Sequence, residues 1–158
     1  MPTIEMLVSL KVPDNVAITT FNTLKRMGYD KLKNIERSDY YKFDIKDNAE
    51  VFKEKISNAD ILVNANKHKC NFDLNIEKIK NKESNIKKIN VLVQDLDNGI
   101  GLLSTLRERL RFDNIKKLEK GVLWTMNFDK KVNAKKIAID ITKNLLMNEH
   151  FQRFRLIR

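Results

Sequence analysis

Residues 6–45, MLVSLKVPDNVAITTFNTLKRMGYDKLKNIERSDYYKFDI, are repeated in altered form at residues 89–128, INVLVQDLDNGIGLLSTLRERLRFDNIKKLEKGVLWTMNF. A shift of 83 residues aligns the two stretches without a gap. They are identical at Val8/Val91, Asp14/Asp97, Asn15/Asn98, Arg26/Arg109, Asp30/Asp113, Lys33/Lys116 and Glu36/Glu119. Apolar positions between these identities match in order, such as Tyr29 with Phe112 and Tyr41 with Trp124. The sequence therefore predicts two tandem copies of one structural unit.

Each copy contains the same order of strand and helix signals. Met6, Val8 and Leu10 alternate as in a half-buried strand, and Asp14 then caps a helix that ends at Gly28. Two short strands are predicted next, at residues 31–37 and 40–45 in the first copy and at residues 114–120 and 122–128 in the second. A second helix, capped by Asn48 or Asn133, and a last strand, at residues 69–74 or 153–157, complete each copy.

This order, β-α-β-β-α-β, is that of a ferredoxin-like sandwich. The predicted fold class is α+β, with two tandem units that each carry an antiparallel four-stranded sheet. The predicted boundaries are residues 1–75 for the first repeat, 76–88 for a lysine-rich linker and 89–158 for the second repeat. Because a unit of ~75 residues buries a marginal core, we expect the two units to pack together as a pseudo-dimer.

Composition narrows the class of protein. The chain has 158 residues, a net charge of +10 and a single cysteine, Cys70, which excludes an internal disulfide. Gly (4) and Pro (2) are too scarce for a collagen-like or low-complexity protein. The sequence contains no apolar run of membrane-spanning length and no secretory signal, so we expect a soluble cytoplasmic protein. The positive charge suits nucleic acid, an acidic protein or a phosphate-bearing ligand.

The sequence predicts no catalytic, cofactor-binding or metal-binding residue. His68 and Cys70 lack the second ligand pair of a zinc site, and nothing in the sequence orients His68 or His150 as a base for Cys70. The repeated acids Asp30/Asp113 and Glu36/Glu119 are interpreted as structural, since turn chemistry explains their recurrence. The strand aromatics Tyr40, Tyr41, Phe43, Trp124 and Phe128 are interpreted mainly as core residues.

Several phrases of the chain resemble the PurS family, the small subunit of phosphoribosylformylglycinamidine (FGAM) synthase. The first strand leads into KVPD at residues 11–14, and the following helix ends in MGYD at residues 27–30. Arg37 falls on the family's hairpin, and the late LVN and LMN elements lie at residues 62–64 and 146–148. The second copy keeps the family's Lys-Gly pair at Lys120-Gly121, whereas the first has Ser38-Asp39.

The resemblance implies a non-catalytic bridging subunit in purine biosynthesis. It would hold the synthetase subunit PurL and the amidotransferase subunit PurQ together while ammonia passes between them. ATP and Mg²⁺ would be bound by the synthetase partner and not by this chain. Arg26, Arg37, Arg109 and Lys120 are the predicted partner-binding residues. Single-domain relatives are expected to dimerise through their sheets, so the tandem chain would resemble a covalent pseudo-dimer; a further homo-oligomer stays open.

Two other functions remain as alternatives. A ferredoxin-like tandem could be a regulator that senses a small ligand at the junction between the copies. It could also bind RNA through strand aromatics and lysines, although no glycine-aromatic RNA-recognition motif occurs. Nucleic acid is therefore not the expected partner.

Overall fold

The computed structural model describes residues 2–46, 48–64, 66–72, 86–96, 99–129 and 132–157. The described part of the chain forms an α+β fold of six strands and four α-helices. In chain order they are β1 (Thr3–Leu10), α1 (Asn15–Arg26), β2 (Leu32–Ile45), α2 (Ala49–Ile56), β3 (His68–Asn71), β4 (Ile86–Asp95), α3 (Ile100–Glu108), β5 (Ile115–Asp129), α4 (Ala134–Ile141) and β6 (Gln152–Ile157). A π-helical turn, Thr142–Leu146, continues α4.

The strands form one antiparallel sheet in the order β3-β1-β2-β5-β4-β6. The prediction of two four-stranded sheets was therefore wrong. Each predicted pair of short strands is one long strand, so that β2 covers residues 31–37 and 40–45 and β5 covers 114–120 and 122–128 almost completely. The predicted breaks at Ser38-Asp39 and Gly121 are not turns, because both positions pair with the neighbouring long strand.

The pairing of β2 with β5 is symmetric with respect to the two repeats. Arg37 pairs with Trp124, and Tyr41 pairs with Lys120. In the sequence alignment Arg37 corresponds to Lys120 and Tyr41 to Trp124, so these two pairs are equivalent. Asp39 pairs with Val122, its own counterpart, and marks the centre of the sheet.

Side-chain caps start the helices where the sequence predicts them. Asp14 accepts hydrogen bonds from the backbone N–H groups of Val16 (2.9 Å) and Ala17 (3.2 Å) at the start of α1. Asn48 and Asn133 cap α2 and α4 in the same way. The capping candidates Asp97 and Asn98 lie outside the described residues, and Gly99 is the N-cap of α3. Gly28 follows α1 with φ +98°, as a left-handed cap requires.

Apolar side chains from both repeats form each of two cores on the face of the sheet that carries the helices. The first core combines Ile4, Met6, Val8, Phe43, Ile45, Phe52, Ile56, Ala59, Leu62 and Val63 with Leu106, Phe112, Ile115 and Leu118. The second core combines Leu24, Leu32 and Ile35 with Val91, Val93, Trp124, Met126, Phe128, Ala134, Ala138 and Ile141. Thus α2 and α3 share the first core, and α1 and α4 share the second.

The opposite face of the sheet, here called the second face, has a smaller apolar cluster. Leu7, Tyr40, Leu92 and Leu123 are buried there, and Ile157 packs against them. These residues come from five adjacent strands, so the cluster runs across the sheet. Among the described residues, the other positions on this face are mostly polar or charged.

Candidate interaction surface: the central polar strip

Charged residues occupy the middle of the helix-bearing face, at the boundary between the two cores. Ile35 belongs to the second core and Phe43 to the first, so the β2 positions between them fall at this boundary. Arg37 and Asp39 of β2 and Lys120 of β5 lie there, with Asp14 before α1 and Asp95 at the end of β4. We call these five residues the central polar strip. It includes two of the four predicted partner-binding residues.

Arg37 connects the sheet to the first helix. Its Nε atom lies 2.9 Å from Oδ2 of Asp14, whose other oxygen caps α1. Its Nη1 atom lies 3.8 Å from Oδ1 of Asp39. The Arg37 side chain is 23% exposed, so the guanidinium is screened less than a surface charge. Arg37 therefore helps to hold the beginning of α1 against β2.

Lys120, the counterpart of Arg37, also contacts an acid in the other half of the strip, but this acid is Asp95 and not Asp97, the alignment counterpart of Asp14. Its Nζ atom lies 3.9 Å from Oδ2 of Asp95, and the Lys120 side chain is 39% exposed. Gln152 of β6 donates a 2.9 Å hydrogen bond from Nε2 to Oδ1 of Asp95. The two halves of the strip thus each pair a basic residue of a central strand with an acid, but Lys120 is more accessible than Arg37.

Burial changes the acid–base properties of the strip. It raises the pKa of Asp39, an effect that the positive charge of Arg37 opposes and that the Asp14 carboxylate reinforces. Burial, with the nearby Asp39 charge, also raises the pKa of Tyr41 to about 12. Tyr41 is therefore neutral at physiological pH, and Asp39 retains its proton to a higher pH than an ordinary aspartate.

Replacing Arg37 by Ala is expected to destabilise the protein most at neutral pH, by about 1–2 kcal/mol. The variant loses the charge that opposes the raised pKa of Asp39. When folding raises the pKa of an acid, the native state binds the proton more tightly than the unfolded state does. The stability that this gives is complete below the unfolded pKa and is lost as pH rises through the native pKa. The effect of Arg37→Ala should therefore shrink as pH falls. Urea unfolding across a pH series tests this, and an equal effect at every pH would contradict it.

Arg26 and Arg109, the other two predicted residues, lie elsewhere. Both are exposed at the carboxyl ends of helices, Arg26 as the last residue of α1 and Arg109 just after α3. Arg26 donates a long hydrogen bond, 3.4 Å from Nε to the Asn22 carbonyl oxygen. The structure thus brings Arg37 and Lys120 into one strip and leaves Arg26 and Arg109 available at helix ends.

A cleft forms where the turn before β2 meets α4. It has a volume of about 640 Å³ and is lined by residues of the 28–31 turn and of α4. The Tyr29 hydroxyl donates a 2.7 Å hydrogen bond to Asp140 and accepts one of 3.0 Å from Asn144. These bonds join the first repeat to the second.

An equivalent cleft of about 900 Å³ lies where the turn before β5 meets α2. In this cleft Phe112 takes the place of Tyr29, and Lys55 takes the place of Asp140. The hydroxyl and the acid of the first cleft are therefore both replaced. Asp30 and Asp113 line one cleft each, as turn residues. The sequence alignment matched Tyr29 with Phe112, but it contained no signal for contacts between the turn of one repeat and the helix of the other.

Cys70 and His68, which the sequence raised as candidates for catalysis, each have a structural contact. Cys70 packs against the first core, and burial raises the pKa of its thiol, which lowers its reactivity at neutral pH. His68 Nδ1 accepts a 3.0 Å hydrogen bond from the Asn64 backbone N–H. In the described part of the chain, no three His, Cys, Asp or Glu side chains are grouped as ligands of one metal ion.

None of the described helices combines the length and the apolar character needed to cross a membrane. No model of a known protein family matches the chain, and no curated protein matches it either.

Proposed function

We propose that this chain is the non-catalytic bridging subunit of a glutamine-dependent FGAM synthase in purine biosynthesis. Its two repeats would be ferredoxin-like, PurS-like units that occupy the places of two separate small subunits. The partners would be the synthetase PurL, which supplies ATP and Mg²⁺ chemistry, and the amidotransferase PurQ. A cytoplasmic location belongs to the same proposal.

The observation that carries this proposal is the pairing of β2 with β5. Equivalent residues of the two repeats pair in equivalent ways around Asp39 and Val122. Two identical chains that associate through their central strands would pair in the same manner, because a twofold dimer interface uses the same surface on both subunits. The shared cores add support, because each core is built from side chains of both repeats. The interface of an obligate dimer is likewise built from both subunits.

Such a unit offers its partners two equivalent sets of contacts. Arg26 and Arg109 are exposed at corresponding positions of the two repeats, so they suit salt bridges with acidic residues of partner subunits. Arg37 and Lys120 are partly satisfied by acids of the central polar strip. In this proposal Arg37 and Lys120 support the docking surface by holding its elements in place. Arg26 and Arg109 make the direct contacts with the partner subunits.

A reconstitution assay tests the proposal. The synthetase and the amidotransferase from the same cells are combined with and without this chain, and FGAM formation is measured with glutamine and, separately, with ammonia. We expect glutamine-dependent synthesis to require the chain. If omission of the chain leaves glutamine-dependent synthesis unchanged, the proposal is wrong.

Charge reversal tests the assigned contacts. The double variant Arg26→Glu/Arg109→Glu should weaken assembly by about tenfold or more, which corresponds to about 1.4 kcal/mol. The matched control is the double variant Lys67→Glu/Lys135→Glu, which makes the same change of net charge at two exposed positions. An equal loss in the control would mean that net charge, and not these two positions, governs assembly.

A further inference from the structure

A basic pocket lies on the second face, far from the helices. It has a volume of about 330 Å³ and is lined by residues of four adjacent strands: Lys42 of β2, Glu119 of β5, Gln94 of β4, and Arg153, Phe154 and Arg155 of β6. The Phe154 side chain itself packs against the second core on the opposite face. We call this set the second-face pocket. Pockets of this size accommodate small molecules.

Positive charge in the second-face pocket is only partly balanced. Glu119 lies 3.2 Å from Lys117 and 3.9 Å from Lys42, so its carboxylate is shared between two lysines. Among the described residues, no carboxylate lies within ion-pair distance of Arg153 or Arg155. The two arginines therefore leave an excess of positive charge that a bound anion would neutralise.

Buried polar groups lie beside and within the second-face pocket. The Tyr40 hydroxyl, which is fully buried, donates a 2.5 Å hydrogen bond to Oε2 of Glu5. Burial and Glu5 raise the pKa of Tyr40, and the positive charge of Arg155 opposes this effect, so Arg155 lies near the hydroxyl. Gln94 is 5% exposed and provides a buried amide in the lining of the pocket. A pocket whose donors are ordered before binding loses less entropy when a ligand enters.

We propose that the second-face pocket binds the phosphate group of a small phosphorylated metabolite. Two guanidinium groups can each donate paired hydrogen bonds to phosphate oxygens, and Lys42 adds a third positive charge. This site is separate from Arg26, Arg109 and the central polar strip. Its existence does not depend on the proposed role in FGAM synthase.

A small ligand fits the second face better than RNA does. Single-stranded RNA needs exposed aromatic rings on which bases can stack. Tyr40 is the aromatic residue that β2 places on this face, and it is fully buried. Tyr41 and Trp124 lie on the helix-bearing face instead, against the two cores.

Calorimetric titration with glycerol 3-phosphate, at constant ionic strength and neutral pH, tests the proposal. Glycerol serves as the ligand control because it lacks the phosphate. We expect saturable binding of glycerol 3-phosphate that becomes about tenfold weaker in Arg153→Ala, equivalent to about 1.4 kcal/mol. Arg155→Lys keeps the charge but loses the paired donors, so its affinity should lie between those of the wild type and Arg153→Ala.

Lys135→Ala removes the same charge from an exposed position on α4 and should leave the affinity unchanged. Equal weakening in this control would show non-specific attraction to a basic protein and would overturn the proposal. The absence of saturable binding would also overturn the proposal. An RNA oligonucleotide that binds more tightly than glycerol 3-phosphate, and whose binding is weakened by Arg153→Ala, would overturn it as well. Because Arg153 is exposed, the Arg153→Ala variant is expected to fold, which circular dichroism checks.

Discussion

Phe52→Ala is expected to destabilise the whole chain by about 3–5 kcal/mol. Phe52 is 1% exposed in the first core, where its ring centroid lies 5.2 Å from that of Phe43 and 6.0 Å from that of Phe112, both in edge-to-face geometry. The substitution removes both aromatic contacts and leaves a cavity. Since a domain is stable by only about 5–15 kcal/mol, the midpoint of thermal unfolding should fall by roughly 10 °C.

We expect Phe52→Ala to unfold in a single thermal transition that has the same midpoint in both halves of the molecule. Trp124, the sole tryptophan of the chain, belongs to the second core, whereas Phe52 belongs to the first. Because each core contains residues of both repeats, Trp124 fluorescence and far-ultraviolet circular dichroism should show the same lowered midpoint. Phe151→Ala, at a position 68% exposed, is the control and should change little. A Trp124 transition at the wild-type temperature would mean that the cores unfold independently.

Gly121→Ala is expected to cost stability at the upper end of the range of about 1–3 kcal/mol for overpacked sites. A Cβ atom at position 121 would lie 2.3 Å from the Val93 carbonyl oxygen and 3.0 Å from Cα of Gln94. Both are backbone atoms of β4, so a side-chain rotation cannot relieve the contact. The strand would have to shift, which would weaken its pairing with β5.

Gly101 provides the matched control for Gly121. It lies in α3, and in the described part of the chain no atom beyond its chain neighbours and the local helix backbone lies within 4 Å of the Cβ position. Alanine favours helix by up to about 1 kcal/mol relative to glycine. Gly101→Ala should therefore leave stability unchanged or raise it, while Gly121→Ala lowers it. Chemical denaturation of both variants measures the difference. Similar stability of the two variants would refute the argument from backbone contact.

Local sequence signals predicted most secondary structure because each depends on a few neighbouring residues. The caps Asp14, Asn48 and Asn133 and the left-handed Gly28 were confirmed. The long strands were missed for a physical reason. Polar residues such as Ser38 and Asp39 interrupt the apolar alternation of β2, and this pattern is typical of a turn. Here the interruption marks the boundary between two cores on a continuous strand.

Contacts between the repeats were not predicted, because local sequence patterns do not encode them. Arg37 and Lys120 lie together in the central polar strip, but Arg26 and Arg109 do not. The partner of Tyr29 is Asp140, which lies 111 positions away in the sequence. The second-face pocket was not predicted either, since its lining residues come from four strands whose order in the sheet is not visible in the sequence.

The two clefts at the repeat junctions can change independently of each other during evolution. In an assembly of identical chains, every substitution appears at both ends, so the two ends must recognise the same target. Here Tyr29 with Asp140 and Phe112 with Lys55 are encoded separately, and one end already carries an acid where the other carries a base. A single codon change therefore alters one end alone, which allows the two ends to acquire different binding preferences.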